Sequence, residues 1–554
     1  MRDLSRVRRW LLSVALCLAV AAGAPAAFAS PLDLYGFGPR AIGMGGAYTG
    51  LADDYAAVYY NPAGMIFTEG STLAVGATTA QPFLRLHLTP APGVTAAQAR
   101  ALHDLENQET DIKRQDSVFF GFTSRLTDHI AIGLLASLPT YEVIQLHPID
   151  AHLPSFIMYE DNAKQAVTYA SIAITPVSGF GFAGGVSVFA NCKGVFTLPI
   201  TVDNSQSVTP NSKSGKPLDV NSDLTLDFPY SYSPYAGVIY RPYEWLRFGA
   251  TYRGPFEWDV KVRLNADLSL DNYTINLAQL GKLLPGVFPL KAVVSISAPA
   301  LGKTPIRVPV DLSGLSGLVT LNASAPVSML ADMADHWKPQ EIAFGSSAEI
   351  GDAWTVSADA TWQGWSQFPS PNLHFTVDNI NVQLSTLPTT ITARLRTLTV
   401  PILGTIGPLP PVQVSIPGIS TQLNLRFPMA SVAKPVTHDI VIPRLGVERR
   451  LPPIRSNTWL TDTRFSLRAG YAFEQSPYTP QRGYVNLVDP DKHIVTAGVG
   501  ILFNRKVSFD IYGESHFLTP IRFAKSTVDP AEPFDAVAAN GYVLSGGASL
   551  SYHW

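Results

Sequence analysis

Segments in which apolar and polar residues alternate recur along the chain from about residue 71 to its end. In Leu246–Arg253 the even positions are Leu, Phe, Ala and Tyr, and the odd positions are Arg, Gly, Thr and Arg. Trp354–Gln363, Arg464–Phe473 and the final segment Tyr542–Trp554 repeat the pattern. Because successive side chains of a β-strand point to opposite faces, these segments predict strands with one apolar and one polar face.

The make-up of the apolar face separates two classes of β protein. Strands of soluble sandwiches also alternate, but here aromatic residues flank small apolar ones, which is typical of strands that face lipid. A basic residue turned toward lipid would cost roughly 2–4 kcal/mol at mid-bilayer, so the register of each strand is strongly fixed. The most apolar stretch after the leader, 397–425, contains five prolines, which exclude a membrane helix.

The connections between the predicted strands fall into short turns and long loops. The short turns are Leu126–Asp128, Pro176–Gly179, Arg241–Glu244, Gly351–Ala353, Leu451–Asp462 and Asn504–Lys506. The long connections lie around 89–114, 141–163, 197–227, 265–337, 369–436, 476–491 and 519–540. This alternation predicts an all-β fold, a 14-stranded antiparallel transmembrane β-barrel over 71–554, with both chain ends on the short-turn, periplasmic side.

The first residues carry a secretion signal. Arginines precede an apolar run, and Ala27-Phe28-Ala29 forms an A-x-A site, so residues 1–29 are predicted to be a signal peptide cleaved near Ala29. The remaining chain keeps only Cys192, so no internal disulfide can form. Without the basic leader the mature chain is modestly acidic, which argues against a nucleic-acid partner.

Between the leader and the first strand, residues 30–70 are rich in glycine and end in an Asn-Pro-Ala-Gly turn. The run YGFGPRAIGMGGAYTGLADDYAAVYYNPAG resembles the N-terminal hatch of the FadL-type family of outer-membrane transporters of long-chain fatty acids and hydrocarbons. The resemblance assigns hatch or gating roles to Gly36, Gly38, Arg40, Gly45, Gly46, Asp53, Asp54, Asn61, Pro62 and Ala63.

The resemblance also covers GVIYRPYEWLRFGATYRGPF, DATWQGWS and LRAGYAFEQSPYTP, and it implies fourteen strands. It implies a bacterial outer-membrane protein, a monomer without cofactor or metal, whose partners are a hydrophobic small molecule, outer-membrane lipids and the barrel assembly machinery. It further implies capture at the extracellular loops, hatch-gated passage and lateral exit at a kinked third strand. Here the third predicted strand, Ile130–Pro139, holds Gly133 and Pro139, residues that can weaken a strand.

Several residues admit two interpretations. Arg247, Arg253, Asp359, Arg468, Asp510 and Glu514 fall on the polar, lumen-facing positions. They could form interior ion pairs that hold the hatch, or one arginine could be left free to bind a fatty-acid carboxylate. Asn61 could be a turn former or a moving hatch contact, and Asp53-Asp54 a turn or helix cap or a cation site. The two insertions, about 265–337 and 369–436, could be an extracellular β elaboration, which we favour, or a surface that collects apolar substrate.

The last strand carries a further signal. Tyr552 and Trp554 end its apolar face, and a terminal aromatic residue resembles the signal that outer-membrane proteins present to the barrel assembly machinery. A soluble β protein has no reason to end in this way.

Enzyme motifs are weak. Gly179–Gly184 matches G-x-G-x-x-G but no helix follows it, and no H-E-x-x-H, G-x-S-x-G or paired-cysteine pattern is present. Asp489, Asp491 and His493 suggest an ordinary polar loop. The alternatives to a transporter are a non-selective porin and, with less support, an outer-membrane lipid-modifying enzyme, for which His516 lacks an obvious serine partner.

Overall fold

The computed structural model describes residues 35–91, 114–140, 156, 159, 167–189, 192–202, 218–228, 231–276, 291–296, 306–311, 318–368, seven short stretches between 374 and 425, 436–454, 462–479, 488–524 and 534–554. The predicted signal peptide and residues 30–34 of the predicted hatch lie outside these ranges.

Two short α-helices and a 3-10 helix precede the strands: α1 (Pro39–Gly43), α2 (Ala57–Tyr60) and the 3-10 turn Pro62–Phe67. The first strands are β1 (Ser71–Pro90), β2 (Gln115–Arg125), β3 (Ile130–Pro139), β4 (Val167–Val177), β5 (Phe180–Phe189), β6 (Cys192–Val202), β7 (Leu218–Phe228), β8 (Ser231–Tyr243), β9 (Leu246–Arg253), β10 (Phe256–Asn276), β11 (Lys291–Ile296), β12 (Ile306–Asp311), β13 (Leu318–Lys338), β14 (Glu341–Ile350) and β15 (Trp354–Gln363).

A second 3-10 turn, Trp365–Gln367, follows β15. The remaining strands are β16 (His374–Val377), β17 (Ile380–Thr386), β18 (Thr389–Ala393), β19 (Leu398–Val400), β20 (Gly404–Ile406), β21 (Val412–Ile416), β22 (Ser420–Leu425), β23 (Ile440–Arg450), β24 (Arg464–Glu474), β25 (Lys492–Phe503), β26 (Val507–Ala524) and β27 (Phe534–His553). No helix within the described ranges is long and apolar enough to span a membrane.

Fourteen strands form one closed barrel in the order β1-β2-β3-β4-β5-β8-β9-β14-β15-β23-β24-β25-β26-β27. The pairing is antiparallel, and β27 returns to β1, where Thr72 pairs with His553. The 14-stranded antiparallel barrel predicted from the alternation is therefore confirmed. Closure also removes the free edges that would otherwise promote aggregation.

The alternation assigns the two faces of the wall as predicted. Phe248 and Trp354 are 47% and 40% exposed, whereas the neighbouring Arg247 and Thr355 are 8% and 1% exposed. Along β27 the exposed Leu544 and Leu550 alternate with buried Val543 and Ser549. The outer face is thus a continuous apolar band with aromatic residues, and the polar residues point into the lumen.

The long connections contain strands of their own. β10 and β13 run 21 residues each and lie in a seven-stranded sheet, β22-β17-β13-β10-β7-β6, with β16 also paired to β13. The predicted β elaboration is present, and it is larger than the two insertions, because β6 and β7 join it from the connection near 197–227. β11 with β12, β18 with β21, and β19 with β20 form small hairpin-like pairs.

Candidate functional site in the barrel lumen

The N-terminal segment, residues 35–70, lies inside the barrel and contacts its wall on all sides. Its backbone approaches β24 and β25 so closely that side chains are excluded: Gly45 has φ 66°, and a Cβ there would lie 2.8 Å from the backbone nitrogen of Tyr471. The amide of Gly45 donates to Thr496 Oγ1 (3.0 Å), whose hydroxyl donates to the carbonyl of Gly43 (3.1 Å). Glycine at position 45 is therefore required by the close packing of two backbones.

One side of the segment packs on the wall through an apolar cluster. Phe37, Tyr55 and Tyr59 contact inward residues of β2 and β4, with ring centroids 4.9 Å apart for Phe37 and Phe119 and 5.5 Å apart for Tyr59 and Tyr169. These aromatic contacts have the offset and edge-to-face geometries that stabilise ring pairs. This cluster joins the segment to strands β2–β5 and β8.

The opposite side is held by a chain of ion pairs. Arg40 contacts Asp53 (2.5 Å) within the segment and Glu448 (3.0 Å) on β23, and Glu448 also accepts from Arg468 (2.7 Å). The chain is then extended at both ends, from Arg468 to Asp510 (2.6 Å) and from Asp53 through Arg247 (2.8 Å) to Glu349 (3.1 Å) and Arg450 (3.1 Å). Charges of both signs thus alternate across the lumen, with Arg40 and Asp53 at the centre.

The two adjacent aspartates of the segment have different environments. Burial alone would raise the pKa of Asp53, but Arg40 and Arg247 outweigh it and hold that pKa well below its usual range. For Asp54, burial dominates and raises the pKa, although Tyr48 and the amide of Ala56 donate to its carboxylate at 2.8 Å each. Asp54 therefore caps the turn before α2, and Asp53 belongs to the ion-pair chain.

Asp359 and Arg253 are further wall contacts of the segment. One oxygen of Asp359 accepts from the amides of Tyr48 (2.8 Å) and Thr49 (2.7 Å). Arg253 pairs with Glu341 (3.4 Å), donates to the carbonyl of Tyr59 and lies over the Tyr59 ring, 4.2 Å from its centroid. Both side chains therefore hold the segment in place.

Asn61 makes a turn contact and a wall contact, and its movement during transport stays a prediction. Its side-chain oxygen accepts from the amide of Ala63 (3.2 Å), as a turn former would. Its side-chain nitrogen donates to the carbonyls of Thr49 (2.8 Å) and of Val238 on β8 (3.0 Å). The side chain is fully buried, so it links the turn to the wall.

The other predicted segment residues surround these contacts. Gly36, Gly38 and Gly46 have φ of 77°, 75° and 71°, and Gly38 precedes α1. Pro62 opens the 3-10 turn Pro62–Phe67, and Ala63 is fully buried.

A second cluster lies beyond the segment, toward the end of the barrel that bears the long connections. Tyr35 packs with Phe156, Tyr159 and inward apolar residues of β1, β26 and β27. The Tyr35 and His516 rings are 5.6 Å apart, and His516 Nε2 lies 3.2 Å from Glu514 Oε1. We call this group of Tyr35, Tyr159, Glu514 and His516 the mouth cluster.

The expectation of an ordinary polar loop at 489–493 is wrong. Lys492 is fully buried and contacts Glu474 (2.7 Å) and Asp489 (3.1 Å), and Asp489 is itself 4% exposed. Burial has the largest effect on the pKa of Asp489 and raises it to about 6. These residues form a closed ionic cluster at the end of the lumen.

The lateral-opening candidates lie in an intact wall. Both ladders of β3 run without a register shift, and Pro139 pairs with Ser117 at the strand end, as in an ordinary strand; a lateral opening at this strand stays a prediction. Gly133 contributes to an apolar depression of about 390 Å³ across β2–β5, whose lining includes the exposed Ile172 and Val186. On the inner side, a Cβ at Gly133 would meet Met65 and Val58 of the N-terminal segment. The wall is therefore thin here, but closed.

The C-terminal aromatic residues lie at the short-turn end. Tyr552 and Trp554 are each 48% exposed on the outer face, with ring centroids 5.7 Å apart. The amide of Trp554 donates to the carbonyl of Ser71 (3.0 Å), which fixes the chain end beside the start of β1. Both rings remain accessible from outside the barrel.

Sequence reasoning missed several lumen residues. Glu448 and Arg444 share the inner face of β23, and the alternation along Ile440–Arg450 could have revealed them. Arg444 donates to Thr361 Oγ1 (2.7 Å), and no carboxylate of the described residues lies within ion-pair distance of it. Glu349, Glu341 and Lys492 were also unassigned.

Across the described ranges, no group of three or more His, Cys, Asp or Glu side chains is placed to hold a metal ion.

Comparison with known proteins gives structural matches only. No family model and no curated protein matches the sequence. A FadL homologue from Pseudomonas aeruginosa is 15% identical, with a TM-score of 0.49 over 93% of this chain and 98% of that one. The toluene transporters TbuX of Ralstonia pickettii and TodX of P. putida are 14% and 13% identical, with TM-scores of 0.41 and 0.42. Each covers 94% of this chain, over 100% and 99% of its own length. This chain is a closed 14-stranded barrel, and its alignment with the FadL homologue covers 93% of it.

Proposed function

We propose that the protein is an outer-membrane transporter of hydrophobic small molecules and has no enzymatic activity. The observation that carries this proposal is the N-terminal segment, which fills the lumen and is held there by the ion-pair chain, by Asp359 and by Asn61. A lumen filled in this way favours a gated path for selected molecules over free diffusion of water and ions. In the proposal this segment is the hatch.

The proposed route has three steps. The substrate is captured on the side of the long connections and reaches the hatch through that end of the barrel. It then leaves sideways through the wall into the membrane. An apolar solute gains about 25 cal/mol per Å² on leaving water, so each step favours an apolar lining. The thin wall at Gly133, with an apolar depression outside it and Met65 inside, is the proposed exit. Since β3 is fully paired, exit requires a local movement of β3 or of the hatch.

The substrate class is proposed from resemblance. The N-terminal motif resembles that of transporters of fatty acids and hydrocarbons, and TbuX and TodX are toluene transporters. Either an amphipathic chain or a small hydrocarbon fits this class.

Conductance and uptake test the proposal together. The intact protein in planar bilayers should conduct ions poorly, whereas deletion of residues 30–70 should open a steady conductance, because the polar lumen would fill with water. Uptake of a long-chain fatty acid or hydrocarbon by cells should require the intact hatch. A high, steady conductance of the intact protein would favour a non-selective porin instead.

A lipid-modifying enzyme has less support. Such an enzyme needs a nucleophile and a base at the lipid face, and His516 is 1% exposed on the inner face. The neighbour of His516 is the carboxylate of Glu514, not a serine hydroxyl.

A further inference from the structure

The mouth cluster contains polar atoms that the rest of the described structure leaves without hydrogen bonds. The hydroxyls of Tyr35 and Tyr159, both ring nitrogens of His516 and one carboxylate oxygen of Glu514 are buried and lack a partner. His516 Nε2 is only 3.2 Å from Glu514 Oε1, but the two groups are not aligned for a hydrogen bond. The four side chains are 92% buried or more. Buried polar groups are normally paired, so this concentration requires an explanation.

The four groups lie together on the proposed route. Tyr35 is the first described residue of the hatch, and Tyr159 packs with it among the inward apolar residues of β1, β26 and β27. Burial, and after it the nearby Tyr159 and Glu514, raise the pKa of Tyr35, which agrees with their closeness. A molecule that enters from the side of the long connections meets this cluster at the outer end of the hatch, to which Tyr35 belongs.

The chemistry of the cluster discriminates between head groups. A tyrosine hydroxyl and a neutral imidazole each offer a donor and an acceptor, and an ionised glutamate offers only acceptors. A ligand hydroxyl can donate to Glu514 and accept from Tyr35 at the same time. A carboxylate would face the like charge of the Glu514 carboxylate, which would weaken its binding. A pure hydrocarbon would leave every polar atom unpaired.

We propose that the mouth cluster is a binding site for a neutral hydroxyl head group, and that the protein selects apolar alcohols or phenols over carboxylates and plain hydrocarbons. The inference rests on the proposed function and narrows its substrate class. The competing site for an acid is Arg444, the inward arginine that has only a hydroxyl partner among the described residues.

Binding to the purified, folded protein in detergent tests the site apart from transport. We expect n-decanol to bind at least about tenfold more tightly than decanoate or n-decane by equilibrium dialysis, since each unpaired buried polar group is costly. Tyr35→Phe should weaken decanol binding about tenfold and leave decane binding unchanged. Glu514→Gln should raise decanoate binding several-fold, because the like charge is removed while hydrogen bonding remains.

A matched control is available on β26, the strand that carries Glu514 and His516. Tyr512 is a buried inward tyrosine whose hydroxyl already bonds to Ser545 (3.2 Å), so Tyr512→Phe should leave the preference for decanol unchanged. Heat modifiability on a gel verifies that each variant is folded. Tighter binding of decanoate, lost in Arg444→Gln, would overturn the proposal, as would equal effects of Tyr35→Phe on all three compounds. Failure of cellular uptake with intact decanol selectivity would count against the transport function alone.

Discussion

At the scale of single residues, the hatch is held by side chains that each have more than one partner. Glu448 accepts from Arg40 and Arg468, and Asp53 accepts from Arg40 and Arg247. Removing one member leaves its neighbours with one counter-charge fewer, and a buried charge that loses its last partner costs roughly 3–5 kcal/mol. The stability of the arrangement in which the hatch fills the lumen therefore depends on a small number of side chains.

Asn61 offers a test of whether its wall contact matters beyond its turn contact. Asn61→Asp keeps the acceptor for the amide of Ala63 but loses the donor to Thr49 and Val238. We expect Asn61→Asp to impair uptake of a hydrophobic substrate at least as much as Asn61→Ala, since both lose the bond to β8 and the aspartate also buries a carboxylate against the carbonyls of Thr49 and Val238. Uptake by Asn61→Asp at the wild-type rate would assign the residue to the turn alone.

The ion pairs of Asp53 predict a pH dependence. Its pKa is lowered in the folded protein, so its stabilisation is present above the unfolded pKa of about 4 and is lost as pH falls toward the folded value. The difference in free energy of unfolding between wild type and Asp53→Asn, measured by urea titration, should therefore be largest at neutral pH and shrink below about pH 4. Asp128→Asn, at a side chain 96% exposed in a short turn, should change little at any pH.

At the scale of elements, the backbone of the hatch packs directly against the backbone of the barrel wall, because glycine at position 45 has no side chain to separate them. Gly45→Ala should cost on the order of 1–3 kcal/mol, from the positive φ and from the approach to Tyr471 and Leu445. The displaced hatch should raise the conductance in planar bilayers. Gly184→Ala is the control, because a Cβ there meets nothing within 4 Å. Unchanged conductance of Gly45→Ala would show that the hatch tolerates this displacement.

The strands were predictable and their partners across the lumen were not. The period of two in Leu246–Arg253 determines which side chains face the lumen, because a shift by one residue would turn Arg247 toward lipid. Nothing in the local sequence shows that Arg40 meets Glu448, 408 positions away. Gly133 and Pro139 permit a break in β3 but do not require one, and the strand is regularly paired.

A change at the end of the last strand is expected to affect assembly rather than stability. Trp554→Asp, or removal of Trp554, should leave the protein unassembled and degraded in the periplasm, because the exposed aromatic end of β27 is the proposed signal to the assembly machinery. The folded fraction is measured by heat-modifiable migration on gels. Leu467→Asp, which alters an exposed apolar residue of β24, a strand not paired with β27, separates loss of the signal from loss of lipid contact. Normal amounts of folded Trp554→Asp barrel would contradict this role.

At the scale of the whole molecule, the barrel divides its interior by chemistry. The middle of the lumen is charged and holds the hatch, whereas the end with the long connections combines the apolar residues around Tyr35 and Phe156 with the buried ion pairs of Lys492. An apolar solute entering at that end would meet an apolar surface whose charged neighbours are already paired. This arrangement supports the proposed capture on the side of the long connections.

The orientation can be tested directly on intact cells. The seven-stranded sheet belongs to the long connections, and the start of β1 and the end of β27 lie at the other end of the barrel, because six short turns alternate with the long connections. Epitope tags in 265–337 and 369–436 should therefore be reached by antibody on intact cells, and a tag in the turn at Asn504–Lys506 should be reached only after permeabilisation. Since an insertion in a short turn can disturb folding, heat modifiability of each tagged protein is the control. Surface labelling at Asn504–Lys506 in a folded barrel would reverse the orientation, and the mouth cluster would then face the periplasm.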